Sequence, residues 1–282
     1  EILPSDWSSD VCSSDLVDPT NPLLGLERVI ATPHIAASTI EAQRKVAVQI
    51  AEQIIEWQQK GKLEGAVNAS AVELAQAPGV NAYLMLAEKL GATLAQLAPF
   101  EGNTMTIWAS GEYLQKFSEV ITAAALKGFL DIRQTDDTNY INVFTLAEEM
   151  GITLEQKFEK ENPDYTNLIR VELANGARKK MIGGTVFGDR AIRIVMIDQF
   201  LLEFKPEGHI IIYNNVDKPG VIASVTQLLL RHNLNVAYVA LSRDDEKRLA
   251  MTAIVVDDQV DRVLLDEIKK TDGVSEASIV LL

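Results

Sequence analysis

The last quarter of the chain shows the clearest pattern of apolar and polar positions. Short β-rich runs and segments with helical spacing follow one another in the order βαββαβ over residues 208–282. The first of the two helices extends from about Pro219 to His232 and carries Val225 and Leu229 on its apolar face. This order predicts a ferredoxin-like α+β domain.

The middle of the chain, residues 81–206, mixes helical and strand patterns. An amphipathic helix ends near Leu97, and further helices are expected later in the segment. The expected strands are 104–110, 167–174, 179–187 and 191–197. The pattern predicts an α/β domain with segregated strands and helices. Residues 63–80, rich in Ala, Glu, Asn and Pro, are predicted to be a linker.

Residues 17–62 predict a short strand, a tight loop and a long helix. The β-rich run 28–32 is stopped by a proline. Ser38 and Glu41 have the spacing of a capping box, in which the serine caps the helix that follows. Apolar residues then recur every three or four positions, which predicts a helix to about residue 60.

The first sixteen residues do not fit any fold pattern. Ser-Asp recurs three times within residues 1–16, and no helical or strand period is sustained. The segment lacks the basic and apolar regions of a signal peptide. It is interpreted as a non-native tail, such as translated adapter sequence, with a disordered native tail as the alternative.

Composition excludes several classes of protein. The 282 residues carry 26 Lys+Arg and 40 Asp+Glu, and the net charge of −14 argues against nucleic acid as a partner. No apolar run reaches the roughly 18 residues that span a membrane. Cys12 is the single cysteine and the three histidines are scattered, so we expect neither a disulfide nor a metal site. These features predict a cytoplasmic protein.

His34 is the first candidate for chemistry. It follows a proline at the end of the predicted strand and precedes a helix, where an imidazole can act as a general acid or base. The small residues 35–39 would let a flat ligand approach the backbone. The alternative is a loop histidine without a role in a tight strand–helix turn.

Here the sequence resembles a known family. The segments Asn21-Pro-Leu-Leu-Gly-Leu26, Thr32-Pro-His-Ile-Ala-Ala-Ser-Thr39 and Glu41-Ala-Gln43 are similar to the end of the catalytic core of the long-form D-3-phosphoglycerate dehydrogenases. These enzymes are NAD-dependent D-2-hydroxyacid dehydrogenases. The resemblance implies that His34 exchanges a proton with the substrate hydroxyl, and that Ala36 and Ala37 lie beside the nicotinamide.

The same resemblance shows which parts of such an enzyme this sequence does not contain. The family binds NAD through a G-x-G-x-x-G turn, and no such spacing occurs here. The family's substrate-binding arginine and the glutamate that orients the histidine would precede residue 17. We therefore expect a C-terminal portion that is inactive alone. Its parent would oxidise 3-phosphoglycerate to 3-phosphohydroxypyruvate, the first step of L-serine synthesis.

Residues 81–206 resemble the intervening domain of the same enzymes. The match is carried by Leu86-Ala-Glu-Lys-Leu-Gly91, Tyr165-Thr-Asn-Leu168 and Gly183-Gly-Thr-Val-Phe-Gly188. In the family this domain is proposed to sense anionic metabolites, and five basic residues could supply the charge: Arg178, Lys179, Lys180, Arg190 and Arg193. The alternative, which we favour, is a solvated strand face.

Residues 208–282 resemble an ACT domain, a module that binds amino acids at a paired interface. The resemblance implies L-serine as a feedback effector and a homo-oligomer formed through this domain. Its effector positions correspond to Asn215, Asp217, Pro219, Gly220 and Asn235, and family members place a ring side chain where Asn215 stands.

The residues themselves are compatible with that effector site. Backbone amides at the start of the helix suit an α-carboxylate, and Asp217 can pair with an α-ammonium group. Asn235 can donate to and accept from a small polar side chain. Alternatively, Pro219 and Gly220 only start a helix and Asn235 only forms a turn.

A binding module is the second functional hypothesis. The chain could be a stand-alone amino-acid sensor related to the β-type domain of L-serine dehydratase. The stretch Thr32–Thr39 favours the dehydrogenase, because a pure sensor has no use for a histidine in that setting.

Overall fold

The computed structural model describes residues 22, 26–27, 36–60, 79–98, 101–133, 137–188, 190–244, 246 and 248–282. The chain divides into two compact units, residues 1–65 and 66–282. The predicted tail 1–16, the predicted strand 28–32, His34 and all of the predicted linker except its last two residues lie outside the described residues.

The first unit contributes one long helix. After a single 3₁₀ turn, Ala36–Ser38, helix α1 covers Ile40–Lys60. Thr39 caps this helix, because its Oγ1 accepts a hydrogen bond from the Ala42 amide at 3.1 Å. The prediction that Ser38 is the cap was therefore wrong by one residue. The apolar residues Val46, Ile50 and Ile54, spaced at four, are about half exposed.

In the second unit, the middle domain is a two-layer α/β structure, as predicted. Its elements are α2 (Asn81–Leu97), β1 (Thr104–Ser110), α3 (Glu112–Gln115), α4 (Ser118–Arg133), α5 (Val143–Glu149), β2 (Thr153–Glu159), β3 (Leu168–Asn175), β4 (Arg178–Phe187), β5 (Ala191–Ile197) and β6 (Phe200–Phe204). The sheet order is β2-β1-β3-β4-β5-β6. Strands β1 and β2 are parallel, whereas the other neighbours are antiparallel. The sequence pattern missed α3, β2 and β6.

Two glycines allow α2 and α4 to pack closely against each other. A Cβ atom on Gly91 would lie 1.9 Å from the Ala125 carbonyl oxygen, and one on Gly128 would lie 1.9 Å from that of Glu88. The backbones of α2 and α4 are therefore in direct contact at this crossing. Any residue other than glycine at position 91 or 128 would prevent that contact. The buried face of α2 includes Leu90, which is fully buried in the core.

The C-terminal domain has the predicted βαββαβ order. Its elements are β7 (His209–Val216), α6 (Val221–Arg231), β8 (Val236–Asp244), β9 (Leu249–Val256), α7 (Arg262–Lys269) and β10 (Val274–Leu281). They form an antiparallel sheet in the order β10-β7-β9-β8. Pro219 lies outside α6, because Gly220, with φ of +94°, is the N-cap. The helix therefore begins at Val221, two residues after the predicted start at about Pro219.

The two faces of this second sheet are covered by different partners. On one face, Ile211 and Tyr213 pack with Val225 of α6 and Leu264 of α7. On the other face, side chains that include Ile212 belong to the same buried cluster as the core of the middle domain. The two domains of this unit therefore share a continuous core.

A side chain also ties the C-terminal strand to the middle domain. Gln96 of α2 donates from Nε2 to the Leu281 carbonyl at 3.0 Å and accepts from the Leu281 amide at 2.9 Å. The amide side chain thus pairs with edge strand β10 as another strand would.

Candidate functional site

The predicted catalytic histidine, His34, lies outside the described residues. Of its predicted neighbours, Ala36 and Ala37 lie in the 3₁₀ turn before α1, and Ala37 is exposed. Within residues 36–60, the only other element is the helix itself.

The described residues do not form a cradle for a dinucleotide. The neighbouring glycines Gly183 and Gly184 lie within strand β4 rather than at a strand–helix turn. A Cβ atom on Gly183 would lie 2.5 Å from the Met196 Cγ atom, and one on Gly184 would lie 2.7 Å from the Leu86 Cδ1 atom. Side chains already fill the space beside these glycines, so they do not accommodate a pyrophosphate.

The loop between β7 and α6, which carries most of the predicted effector residues, is anchored on both sides. On one side, the Asp217 amide donates to the Arg248 carbonyl at 2.8 Å. On the other side, the Val216 amide donates to the Gly273 carbonyl at 2.8 Å, and Lys218 Nζ contacts Asp272 Oδ2 at 2.6 Å. This loop therefore has a defined backbone shape before any ligand binds.

The start of helix α6 presents backbone amides without a side-chain cap. The left-handed Gly220 provides no capping side chain, and the first helical bond runs from the Ser224 amide to the Gly220 carbonyl at 2.9 Å. The amides of residues 221–223 therefore belong to the open first turn. Such amides and the helix dipole favour a carboxylate at this position.

Asp217 does have a cationic partner, but the partner belongs to its own chain. Arg243 Nε donates to Asp217 Oδ2 at 2.7 Å, and Arg243 Nη2 lies 2.5 Å from the same oxygen. Arg243 was not among the predicted site residues. It lies 26 residues from Asp217 along the chain, and the only signal in the sequence is its place in the charged run of residues 243–248.

Asn215 lies beneath this ion pair on the helix-covered face of the sheet. Asn215 is 5% exposed, and its Nδ2 donates to the Val216 carbonyl at 2.7 Å. In the adjacent row of the sheet, Tyr213 and Thr252 are paired and buried. Burial raises the pKa of the Tyr213 hydroxyl. Asn215, Tyr213 and Thr252 therefore place buried polar groups on the helix-covered face of the sheet.

Asn235 is not brought to the loop within one chain. It lies exposed just before β8, and its Nδ2 donates to Asp257 Oδ2 at 2.5 Å. Strand β8 begins opposite Val256 and ends opposite Leu249, next to the Asp217 loop. Nine residues of strand therefore separate Asn235 from Asp217, a distance of about 27 Å.

Comparison with known proteins identifies both domains of the second unit. A family model described as the D-3-phosphoglycerate dehydrogenase intervening domain matches residues 79–198, and an ACT domain model matches residues 209–273. The D-3-phosphoglycerate dehydrogenase of Archaeoglobus fulgidus is 34% identical over 275 residues, covering 97% of this chain and 52% of that protein.

The enzymes of the same name from Synechocystis and Bacillus subtilis are 31% and 26% identical, covering 90% and 92% of this chain. The chain carries the intervening and ACT domains of D-3-phosphoglycerate dehydrogenases and is similar to these enzymes over 90% or more of its length. It spans about half the length of these relatives, 46% of the Synechocystis protein and 50% of the Bacillus protein.

The basic residues of the intervening domain largely form ion pairs within the domain. Lys180 Nζ contacts Asp198 Oδ2 at 2.9 Å, and Lys179 Nζ lies 3.5 Å from Glu172 Oε1. Arg193 Nε lies 3.7 Å from Glu203 Oε1, and Arg178 and Arg190 are exposed. These contacts favour the interpretation of a solvated strand face over an anion sensor.

The described residues include neither a candidate membrane span nor a candidate metal cluster. Within them, no helix is long and apolar enough to cross a bilayer. Among those residues there is also no group of three His, Cys, Asp or Glu side chains that could hold a metal ion.

Proposed function

We propose that this chain is the regulatory C-terminal portion of a cytoplasmic, NAD-dependent D-3-phosphoglycerate dehydrogenase, and that its ACT domain binds L-serine as a feedback effector. The observation that carries the effector role is the anchored loop at the start of α6, where open backbone amides stand beside the Asp217 carboxylate. The comparisons do not favour the stand-alone sensor related to L-serine dehydratase.

In the parent enzyme, His34 would act as the acid/base on the substrate hydroxyl while NAD accepts hydride. The sequence has no dinucleotide-binding turn. The described residues also form no cradle for the cofactor, so we expect this chain alone to be inactive. The test is NADH absorbance during incubation of the purified chain with 3-phosphoglycerate and NAD. No signal above the rate without protein is expected, and enzyme-dependent NADH formation would contradict the proposal.

L-Serine fits the loop through its two charged groups. Its carboxylate would accept from the open amides of residues 221–223, and its ammonium group would pair with Asp217. Its hydroxyl needs a further polar side chain. Asn215 already donates to a backbone carbonyl, and Asn235 lies at the far end of the sheet.

A second copy of the chain would supply the missing side chain. Strand β8 is an edge strand that exposes Val239 at 37% and Leu241 at 47%. Pairing two β8 edges about a two-fold axis makes them antiparallel, so the start of one strand meets the end of the other. That arrangement brings Asn235 of the partner subunit towards Asp217 and buries the exposed apolar side chains of β8.

Calorimetric titration tests the effector site. Wild-type protein is expected to bind L-serine, and Asp217→Asn is expected to bind at least tenfold more weakly, because the charge-assisted contact to ammonium is lost. Asp258→Asn removes an equal charge from an exposed position of the same domain and is the matched control. Equal affinity of wild type and Asp217→Asn would exclude Asp217 from the site.

Sedimentation tests the paired edge. Leu241→Asp is expected to convert dimers to monomers and to abolish L-serine binding, since it places a charge in the paired edge. Val263→Asp, at a position 60% exposed on α7, should leave both properties unchanged. A Leu241→Asp protein that remains dimeric and binds L-serine normally would rule out this edge as the interface.

A further inference from the structure

The Asp217 carboxylate accepts from two nitrogen atoms of one guanidinium group. Both Nε and Nη2 of Arg243 converge on the same oxygen, Oδ2, at 2.7 and 2.5 Å. The Asp217 side chain is only 25% exposed, whereas that of Arg243 is 59% exposed. The carboxylate is therefore partly enclosed by the loop, and the arginine reaches it from the solvent side.

The register of the sheet explains how Arg243 reaches the loop. Asn215 of β7 and Arg243 of β8 both pair with Ala250 of β9, the strand that lies between them in the sheet. The three residues form one row across the same face of the sheet. Because Ala250 has only a methyl group, the arginine stem can cross β9 above it and bring its guanidinium to Asp217.

Arg243 therefore stands where the ammonium group of an amino acid would stand. Ammonium and guanidinium are both cations that need the same charge-assisted contact to a carboxylate. Asp217 Oδ2 already accepts from two donors of Arg243, which fills both of its lone pairs. A ligand ammonium group that binds this oxygen must therefore replace them.

We propose that Arg243 is an internal competitor for the effector site, so that L-serine binds by exchanging the Asp217–Arg243 ion pair for an Asp217–ammonium pair. This inference rests on the proposed effector function. It makes Arg243 a residue that sets effector affinity and selectivity, since only ligands with an ammonium group must displace it.

The test is calorimetric titration of Arg243→Gln with L-serine and with L-glycerate, which carries a hydroxyl in place of the ammonium group. Releasing one partly exposed ion pair should tighten L-serine binding by about two- to fivefold. L-Glycerate should show no gain. Arg262→Gln, which removes the same charge from an exposed position on α7 of the same domain, should bind L-serine as wild type does.

Arg243→Lys checks the same idea with the charge retained. A lysine offers one ammonium contact instead of a two-donor fork, so its affinity for L-serine should fall between wild type and Arg243→Gln. Thermal unfolding of each variant shows whether the fold is retained. If Arg243→Gln does not fold, tighter L-serine binding by Arg243→Lys than by wild type supports the proposal, and equal or weaker binding overturns it.

The outcomes separate this inference from the proposed function. If wild type binds L-serine and Arg243→Gln binds it equally or more weakly, Arg243 is not a competitor, although the effector site stands. An equal gain for L-glycerate would also overturn the inference, because the arginine would then block the whole site rather than its ammonium position. If neither protein binds L-serine, the effector function and the inference both fail.

Discussion

The ACT domain packs against the intervening domain through one face of its sheet. At its effector end, the loop between β7 and α6, exposed ion pairs hold the backbone in place. At the junction, Ile212 is 5% exposed and Gln96 pairs with the backbone of Leu281 through two hydrogen bonds. At the effector end, the loop is held by Arg243 and by Lys218, whose side chains are 59% and 37% exposed. Stability therefore resides in the junction, whereas exchange with a ligand is possible at the loop.

The difference follows from what each type of contact costs to break. Removing an apolar side chain from a packed core leaves a cavity that the surroundings fill only partly. Separating an exposed ion pair costs little free energy, because water or a ligand replaces the lost partner of each charge. A regulatory site that must release its internal partner is therefore better built from the second type of contact.

The largest expected effect is at the junction. Ile212→Ala should lower the free energy of unfolding by about 2–5 kcal/mol, because it creates a cavity in the shared core. Ile222→Ala, at a position 40% exposed on α6, is the matched control and should cost far less. Urea denaturation of the two variants measures both values. Equal losses would mean that the junction contributes no more than an exposed helix face.

A smaller effect is expected from the side chain that ties β10 to α2. Gln96→Ala removes both hydrogen bonds to Leu281 and should destabilise the protein by about 1–2 kcal/mol. Gln115→Ala changes an exposed glutamine of α3 and should have little effect. Amide hydrogen exchange at Leu281 should accelerate only in the first variant. Unchanged protection there would show that Gln96 does not hold the strand.

The smallest effect concerns the pH dependence of the loop anchor. The hydrogen bond from Lys218 lowers the pKa of Asp272 below its usual 3.8. Because the folded pKa is the lower one, this contact stabilises the fold above the usual value and is lost as the pH falls through the lowered one.

An NMR titration of the Asp272 carboxyl carbon measures that shift. Lys218→Gln should return the pKa of Asp272 towards 3.8, and Lys269→Gln, exposed at the end of α7, should not change it. An Asp272 pKa that is the same in wild type and Lys218→Gln would show that this ion pair does not anchor the loop.

The sequence predicted the elements with a clear apolar pattern. Strands β7 and β9 are continuous apolar runs because both faces of their sheet are covered, and helix α6 buries one apolar face. Strand β2 was missed because it lies at the sheet edge and most of its residues are exposed, so no burial pattern marks it. The five-residue β6 is too short for its alternation to stand out from a loop.

The effector loop could be predicted only in part. The positions of Asp217 and Gly220 follow from the local strand–turn–helix pattern, which a sequence shows directly. The pairing of Asp217 with Arg243 depends on strand order and on the small Ala250 between them. The separation of Asn235 from Asp217 likewise depends on the direction of β8, so neither could be deduced from spacing along the chain.

A crystal structure of the chain with L-serine would show the effector site itself. We expect one L-serine in each loop, with its carboxylate on the amides of residues 221–223, its ammonium group on Asp217 and Asn235 of the partner subunit in contact with it. L-Serine bound elsewhere in a chain whose Asp217 carboxylate remains paired with Arg243, with Asn235 of the partner subunit remote from the ligand, would contradict this expectation.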